Sequence, residues 1–505
     1  MHAQKLIHSR QITAFYLIVA ATVILINSWI CDDAFITMRS VEQVFAGNGP
    51  RWNPHERVQA FTHPLWFIVL LFARLFSKDP IIVPITVGAL CSLSALFVLF
   101  KSVKFSPEKC LMTLALALSS RTWIDFSTSG LENPLSFLLL SLFITFTLKS
   151  LTLQTGKAIP YLCFSLLLLC RYDNIFLTLP LFVGLYSKSS GSWKQILWGF
   201  LPLFIWIAFS TFYYGSPLPN TTFAKLSAGI SRRTLIEQGV HYLLNLIRWD
   251  PIAPLVILGG TVSGLLSRNL CFKAISLGII LHIIYTLLIG GDFMAGRFIS
   301  YPYWASLSLL TFTLPRPMCL FAVCAAVLFV ILSPNHPLRQ VTTKPLIDRF
   351  GIADEKSVYW SHTSLRHCLS SLKAGRKCPN HMWRRKGEHF RNSSKAIRVK
   401  GTVGMFGYYA GTQKIVIDIC GLGDPLLSRI PAKPIKHRIG HFVREIPEGY
   451  KLSVTSGKNM IKDPSIRDLY ATTRIVTQER LFSWQRLKKI VKLNAQDVVR
   501  LFRNL

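Results

Sequence analysis

The sequence is poor in charged residues and lacks the glycine-rich motifs of nucleotide-binding enzymes. Charged side chains account for 16% of its 505 residues, whereas a soluble protein carries about 25%. It contains no G-x-G-x-x-G stretch, no phosphate-loop lysine motif and no C-x-x-C pair. These absences exclude an ordinary cytosolic globule, and they leave no motif for binding a nucleotide or a structural zinc ion.

The chain instead has a long apolar part followed by a basic part. Hydrophobic residues make up 51% of it, and the mean hydropathy is +0.38. Residues 1–333 contain 24 Lys and Arg and 12 Asp and Glu, whereas residues 334–505 contain 33 and 12, a net charge of +21 out of +33. We therefore predict a polytopic α-helical membrane domain over 1–333 and a basic polar domain over 334–505. A basic pI is typical of nucleic-acid binding, but a membrane-embedded domain argues against a nucleic-acid partner.

Apolar runs recur along the first domain, several of them near the roughly 20 residues that a membrane helix needs. They cover 13–30, 61–77, 81–100, 110–119, 133–147, 159–170, 174–187, 195–214, 250–266, 272–290, 300–314 and 317–333. Lys5 and Arg10 precede the first run, so the positive-inside rule puts the N-terminus in the cytoplasm. A signal peptide is the competing interpretation, but no small-x-small cleavage site follows the run.

Positive charges between the runs indicate which loops face the cytoplasm. The inner groups are Lys101, Lys104 and Lys109; Lys149 and Lys157; Lys188 and Lys194; Arg268 and Lys273; and Arg316. They agree with an outer loop at 31–60 only if 61–77 does not cross, so we predict a re-entrant or juxtamembrane segment there. The result is about 11 spans, with residues 334–505 on the extracytoplasmic side of a bacterial cytoplasmic membrane.

The outer loop at 31–60 begins with Asp32 and Asp33, directly after the first span. Two adjacent acids at an apolar helix end are costly to desolvate unless they are paired or bind a cation. One of them would act as general base on a sugar hydroxyl, and the other would raise its pKa or help to hold a divalent cation (Mg, Mn or Ca). A solvated stop signal is the structural alternative.

Cationic side chains in the outer loops are candidates for binding a lipid-linked phosphate, because a guanidinium fork matches phosphate oxygens. The candidates are Arg297, Lys225, Arg171 and Arg57. Plain ion pairs are the alternative for two of them, Arg297 with Asp292 and Arg171 with Asp173.

Short motifs follow one another in order between residues 30 and 450. They are Asp32-Asp33-Ala34-Phe35-Ile36; Trp52-Asn53-Pro54 with Thr62-His63-Pro64-Leu65-Trp66; Ser129-Gly130-Leu131-Glu132; Tyr214-Gly215-Ser216-Pro217-Leu218-Pro219-Asn220-Thr221; Gly290-Gly291-Asp292-Phe293-Met294; Gly404-Met405-Phe406-Gly407-Tyr408-Tyr409; Asp418-Ile419-Cys420-Gly421-Leu422-Gly423-Asp424-Pro425; and Gly440-His441-Phe442. The ordered set resembles the bacterial GT-C-fold glycosyltransferases related to the mycobacterial terminal arabinofuranosyltransferase.

The resemblance implies a membrane enzyme that transfers a sugar from a polyprenyl-phosphate donor to a cell-envelope glycan or glycolipid acceptor outside the cytoplasmic membrane. It implies a catalytic acidic residue in the first outer loop, which matches Asp33 or Asp32. The matching motifs nominate as substrate-binding or supporting residues Asp292, Glu132, Asn53, His63, Tyr214 and Asn220. The family would have Tyr at the position of Phe35 and Thr at the position of Asn133. These two departures leave the sugar specificity undetermined.

Another class of protein fits part of the pattern. A lipid-linked glycan transporter or binding protein without chemistry would use the same arginines but would not need Asp32-Asp33. Transporters tend to show internal repeats, and this sequence has none. For a transferase, inversion at the anomeric carbon needs a single base, whereas retention needs a second nucleophile or a front-face mechanism.

Residues 334–505 are predicted to form a mixed α/β domain. Ile415-Val416-Ile417 lies between glycine-rich turns and is typical of a strand. Residues 476–505 have the periodicity of a helix with one apolar face. Cys368 and Cys378 close a short basic loop and are a candidate disulfide. The basic surface would attract acidic membrane lipids or a phosphorylated glycan acceptor.

Overall fold

The computed structural model describes residues 2–153, 156, 158–187, 193–339, 346–433 and 439–504. Lys157 and Lys188, two of the cations used to orient the predicted spans, lie outside the described residues. The backbone is predominantly helical, as the sequence predicts, with two short two-stranded sheets.

The helices and strands follow one another along the chain in this order: α1 (His2–Ile26), α2 (Asp32–Phe45), α3 (Pro64–Ala73), α4 (Ile82–Ser102), α5 (Pro107–Ser119), α6 (Arg121–Ile124), α7 (Asn133–Leu153), α8 (Ala158–Cys170), α9 (Asn174–Ser187), α10 (Trp193–Tyr213), α11 (Asn220–Leu226), α12 (Arg232–Trp249), α13 (Ile252–Leu266), α14 (Leu270–Leu288), α15 (Ser300–Thr313), α16 (Arg316–Leu332), β1 (Leu346–Ile347), β2 (Ala353–Asp354), α17 (Glu355–Thr363), α18 (Leu365–Lys373), α19 (Met382–Asn392), β3 (Ile397–Lys400), α20 (Gly404–Ala410), β4 (Ile415–Asp418), α21 (Tyr450–Ser456), α22 (Pro464–Gln478) and α23 (Trp484–Asn504).

Each predicted apolar run coincides with a helix. Within the described residues, five helices are long and apolar enough to cross a membrane, or six if the bent pair α12–α13 counts as one span. Helices α3, α8, α9 and α16 are apolar but shorter. The ten residues of α3 extend about 15 Å, half of a hydrocarbon core of about 30 Å. The chain is thus a helical membrane protein, and the count of 11 spans stays a prediction.

Contacts divide the chain into two compact units that differ from the predicted division at residue 333. The first unit comprises Met1–Cys31, Ser77–Leu203 and Leu235–Cys378, and the second comprises Asp32–Phe76, Phe204–Thr234 and Pro379–Leu505. The first outer loop therefore groups with the C-terminal part of the chain, whereas residues 334–378 group with the apolar helices.

The first unit is a bundle of apolar helices at close approach. A Cβ atom at Gly278 on α14 would clash with the carbonyl oxygen of Leu177 on α9. Small residues at such contacts let membrane helices pack backbone to backbone. Beyond the helices, the backbone of Ala353 bonds to that of Phe293 and Ala295, so the segment after α14 is tied to β2. The predicted disulfide is present between Cys368 and Cys378.

The second unit is built around the side chain of Trp52. Its ring is fully buried, and glycines at positions 407 and 423 let the backbone approach it, because a Cβ at either would lie within 2.6 Å of the ring. Arg39 stacks on the same ring at 4.8 Å. Strands β3 and β4 pair in parallel, with Ile397 opposite Ile415. The predicted strand at 415–417 is confirmed. The helix predicted over 476–505 is confirmed from Trp484 to Asn504, whereas residues 476–478 end α22 and residues 479–483 are not helical.

Candidate functional site

Asp32 fixes the start of α2 to the C-terminal part of the chain. One carboxylate oxygen accepts the N–H of Met405 at 2.7 Å, and the other accepts the N–H of Gly404 at 3.1 Å. These are the first residues of α20, where helix N–H groups have no partner within the helix. Burial raises the pKa of Asp32 to about 7, opposed by the Met405 N–H and reinforced by the charge of Asp33. Asp32 therefore serves as a cap, and Gly404 leaves room for it.

Asp33 differs from its neighbour in exposure and surroundings. Its side chain is half-buried, whereas that of Asp32 is buried. Burial above all, together with the negative charges of Asp418 and Asp33, raises the pKa of the Cys420 thiol. Asp33 therefore lies near the turn after β4, which belongs to the same unit.

Arg444 ties that turn to the helix that carries Lys225. Its guanidinium is buried and donates to the carbonyl oxygens of Cys420 at 2.7 Å and Phe442 at 2.5 Å, and also to that of Ala224. Lys225 follows Ala224 directly and is half-buried. The backbone near the candidate base and the backbone of a candidate phosphate-binding cation are thus held by one side chain.

Asn220 and Asn53 hold loops of the second unit. The amide of Asn220 donates to the carbonyl oxygens of Gly421 at 2.8 Å, Leu422 at 3.0 Å and Asp424 at 3.1 Å. The amide of Asn53 exchanges hydrogen bonds with the backbone of Val416 at 3.0 and 3.2 Å. Both side chains order the segment around Asp33, and their predicted contact with substrate stays a prediction.

The side chains of His63 and Tyr214 also hold segments of the second unit together. The Nε2 atom of His63 lies 2.7 Å from the hydroxyl of Thr37 on α2, so the start of α3 is attached to the helix that begins with the two aspartates. The Tyr214 hydroxyl donates to the carbonyl oxygen of Pro50 at 2.6 Å.

Arg57 lines a small buried cavity of the second unit, together with Tyr214, Asn220 and Arg429. Its volume of about 20 Å³ is enough for one water molecule. The guanidinium donates to the carbonyl oxygen of Glu479 at 2.5 Å, and its Nε has no hydrogen-bond partner among the residues that the structure describes. Burial and the nearby Arg486 and Arg51 lower the pKa of Arg57 to about 10.

Two buried carboxylic acids whose pKa values are raised, Asp424 and Glu56, lie near this region. Asp424 accepts the N–H groups of Leu426 and Leu427 and the hydroxyl of Tyr450 at 2.7 Å. Burial, with the charge of Glu56 next, raises the pKa of Asp424 to about 8. Burial also raises the pKa of Glu56 to about 7, although Asn53 and Arg51 oppose it.

The other predicted residues form a charge network in the first unit. Glu132 accepts from Arg171 at 3.0 Å, from Arg297 at 3.1 Å and from the hydroxyl of Tyr301 at 3.1 Å. Arg171 also binds Asp173 through two bonds of 2.7 and 2.6 Å, so the local pair predicted as an alternative is confirmed. Arg297 lies 3.5 Å from Asp292, as the corresponding alternative predicts.

This Glu132 network has more carboxylates than guanidiniums. Glu132, Asp173 and Asp292 surround Arg171 and Arg297, and burial of Arg297 is outweighed by Glu132 and Asp292, which raise its pKa. A phosphate placed here would meet three carboxylates at close range. The electrostatics therefore disfavour the two arginines as a phosphate site while their present pairs are made.

The structure gives no support to the divalent-cation site considered at Asp32 and Asp33. Among the residues that the structure describes, no group of three or more His, Cys, Asp or Glu side chains could hold a metal ion. Both Asp32 oxygens already accept backbone N–H groups. The residues present do not fit a divalent cation, and we derive no step through one.

Sequence reasoning missed Arg444 and Tyr301. Arg444 follows the Gly-His-Phe motif, but its partners Cys420 and Ala224 are distant in the sequence, so no local pattern indicates the contact. Tyr301 donates to Glu132, which lies 169 residues away in the sequence, so no local pattern indicates that contact either.

Comparison with known proteins confirms the family resemblance. The sequence is 26% identical over 335 residues to the terminal β-(1→2)-arabinofuranosyltransferase of Corynebacterium glutamicum. The matched segment covers 56% of this chain and 47% of that protein. It is also 26% identical over 343 residues to the protein of the same name from Mycobacterium tuberculosis. That match covers 55% of this chain and 52% of the relative. The chain spans about half the length of the curated relatives it matches.

No family model and no solved structure matches the sequence. The helices define a polytopic membrane protein, and the two matches define its relatives. The chain is related to the terminal arabinofuranosyltransferases.

Proposed function

We propose that this protein is a membrane glycosyltransferase that takes a sugar from a polyprenyl-phosphate donor and transfers it to a cell-envelope glycan or glycolipid. The relatives are named for arabinofuranosyl transfer, which supports the reaction class. A donor of this type already carries a good leaving group, so the absence of a nucleotide motif fits the proposal.

Asp33 is the proposed general base. Asp32 is occupied by two backbone N–H groups, and Asp33 lies beside it with a half-exposed side chain. In the proposed step, the acceptor hydroxyl loses its proton to Asp33 and its oxygen attacks the anomeric carbon. The bond from that carbon to the phosphate oxygen breaks, and polyprenyl phosphate leaves with the bonding electrons.

Lys225 is the proposed partner of the donor phosphate. The observation that carries this assignment is the bridge of Arg444 between the backbones of Cys420 and Ala224, because it joins the surroundings of Asp33 to those of Lys225. Arg171 and Arg297 are already surrounded by carboxylates. On the charge pattern of the loops, we place this site on the extracytoplasmic side of the bacterial cytoplasmic membrane.

The test is transfer by the purified protein from radiolabelled polyprenyl-phosphate sugars to membrane glycans. Asp33→Asn should lower turnover by about 10²–10⁴-fold, as expected for loss of a general base, with donor affinity unchanged. Lys225→Ala should weaken donor binding by about 1.5–3 kcal/mol, the range for a hydrogen bond to a charged group.

Asp32→Asn is the matched control, because it removes an adjacent carboxylate and retains a carbonyl oxygen that can cap α20. It should keep more turnover than Asp33→Asn. Wild-type turnover in Asp33→Asn would move the base elsewhere, with Glu132 or Asp292 next. Donor binding without transfer to any acceptor in the wild-type protein would favour the transporter or binding-protein alternative.

A further inference from the structure

Helix α23 exposes an apolar stripe along one face. Trp484 is 69% exposed, Val491 71% and Val498 50%, and their spacing of seven residues places them on one side of the helix. The opposite side packs into the second unit through Ile490 and Leu493, which are buried. The helix is therefore docked by one face, and the described chain leaves the other open.

The open face is also basic. The helix contains six Lys and Arg residues and a single Asp. Lys488 is exposed, follows Trp484 by four residues and precedes Val491 by three, so it lies beside the stripe on the helix surface. The exposed Lys492 lies on the same side, whereas Lys489 is half-buried and lies toward the packed side next to the buried Ile490. A helix with an aromatic and aliphatic stripe and flanking lysines has the pattern of helices that lie in the interface of an anionic bilayer.

The start of α23 is attached to the end of a candidate membrane span. Arg486 is buried and donates to the carbonyl oxygens of Phe212 at 2.6 Å and Tyr213 at 3.0 Å, the last residues of α10. The ring of Phe482, 85% exposed, lies 5.2 Å from that of Phe212. These contacts fix the first turn of α23 at the level where α10 ends.

The adjoining part of α10 presents an apolar surface. Phe204, Ile205 and Phe209 are 49%, 60% and 36% exposed, as expected for a helix in contact with lipid. When α10 spans the membrane, the level at which this surface ends corresponds to the membrane interface. Phe482 and Trp484 therefore lie at the depth where aromatic side chains are enriched in membrane proteins.

We propose that the stripe of α23, formed by Trp484, Val491 and Val498, lies on the bilayer surface next to α10 and that Lys488 binds the phosphates of anionic lipids. The occupant is the headgroup layer of the membrane that holds the protein. Anionic lipid attracts each nearby lysine, and the apolar stripe adds burial at the acyl boundary.

The experiment uses the full-length protein in lipid nanodiscs of phosphatidylcholine with or without phosphatidylglycerol. A photoreactive p-benzoylphenylalanine replaces Val491 or, in a second variant, Val498, and covalent adducts are identified by mass spectrometry after illumination. We expect lipid adducts at both positions, with a yield that rises when phosphatidylglycerol is present. In the Val491 variant, Lys488→Glu should lower the adduct yield obtained with phosphatidylglycerol by up to about fivefold, the change in attraction expected for one lysine at an anionic surface.

Leu452 provides the matched control position. It is 63% exposed on α21 beside the exposed Lys451, so it matches Val491 in exposure and neighbouring charge. The other exposed side chains of α21 are polar (Lys451, Thr455 and Ser456), so Leu452 belongs to no apolar stripe, and the same photoreactive group there should give only background lipid adducts. Lys451→Glu with Lys458→Glu should leave the Val491 yield unchanged. Equal lipid labelling at Leu452 and Val491, adducts between two protein chains at Val491, or a yield insensitive to both phosphatidylglycerol and charge reversal would each overturn the proposal.

Discussion

The two compact units hold their buried charges in different ways. In the first unit, Arg171 and Arg297 pair with carboxylate side chains. In the second unit, the buried arginines Arg39, Arg444 and Arg486 donate to backbone carbonyl oxygens. The carboxylates of Asp32 and Asp424 in turn accept backbone N–H groups.

The difference follows from the backbone available in each unit. Helices satisfy their own N–H and C=O groups apart from the ends, so buried charged side chains among the apolar helices find few backbone partners. Arg171 and Arg297 accordingly pair with carboxylates, whereas Asp250 accepts the N–H of Thr122 near a helix start. The second unit has long irregular stretches, whose backbone groups need partners that side chains provide. Arg39, Arg444 and Arg486 of the second unit therefore order loops, although its buried Arg429 pairs with Asp497. In the first unit, Arg171 and Arg297 are neutralised by carboxylates.

Among the variants that test this difference between the units, the largest loss of stability is expected on replacing Arg297. Arg297→Met would leave Glu132 and Asp292 without their shared guanidinium, and removing one partner of a buried ion pair costs about 3–5 kcal/mol. The measurement is denaturant unfolding of the purified protein in one detergent.

Glu132→Gln is the matched control for Arg297. It leaves two complete pairs, Arg171 with Asp173 and Arg297 with Asp292, so the loss of stability should be smaller. A larger loss in Glu132→Gln than in Arg297→Met would contradict the charge count of this network.

The stability of the second unit should depend on pH because it contains a buried acid, Asp424, whose pKa is raised. Burial and Glu56 raise the pKa of Asp424 to about 8, whereas an unfolded Asp releases its proton near pH 4. The folded state thus binds more protons in this window, and stability is lost as pH rises through it. We expect a loss of about 2–3 kcal/mol between pH 5 and 8.

Asp424→Asn tests the origin of that pH dependence. The amide oxygen can still accept from Leu426 and Leu427, and the NH₂ group can donate to Tyr450, so the fold should survive. Unfolding curves recorded at pH 5 and pH 8 should lie closer together for this variant than for the wild type. The exposed Asp468→Asn is the control, and an unchanged pH dependence in Asp424→Asn would refute the assignment.

The cap made by Asp32 should have a smaller effect. Asp32→Ala removes the acceptor for the N–H groups of Met405 and Gly404, and loss of an N-cap costs about 0.5–2 kcal/mol. Asp33→Asn should cost less than Asp32→Ala, because the side chain of Asp33 is half-exposed whereas that of Asp32 is buried and exposed charges contribute little to stability. If Asp33→Asn destabilises the protein as much as Asp32→Ala, the two aspartates do not have the separate roles that we assign to them.

Local patterns in the sequence predicted a large part of this architecture. The apolar runs became helices, Ile415-Val416-Ile417 became a strand, and the Arg171–Asp173 pair and the Cys368–Cys378 bond formed as spacing suggested. Each of these features depends on residues close together in the chain. Periodicity and proximity are enough to predict such features.

The roles of the two aspartates could not be separated from the sequence. Asp32 and Asp33 are adjacent, but the groups that distinguish them belong to Gly404 and Met405, more than 370 residues away. The pairing of Glu132 with Arg297 spans 165 residues. Contacts between residues so far apart in the sequence depend on the whole fold. The residue types therefore indicated the candidate site residues, and only the structure showed that these residues belong to two different units.

The smallest expected effect concerns an ion pair at the surface of the second unit. Lys492 lies 3.7 Å from Asp468, and the side chains are 46% and 64% exposed. Water and salt screen such a pair, and its two long side chains lose conformational freedom on pairing, so exposed pairs contribute about 0–1 kcal/mol. Asp468→Asn should therefore change the unfolding free energy by less than about 1 kcal/mol, and by still less at high salt. Denaturant unfolding at low and high salt measures both values. A loss comparable to that of Arg297→Met would mean that burial does not set the energy of charge pairs in this protein, and the contrast between the two units would lose its physical basis.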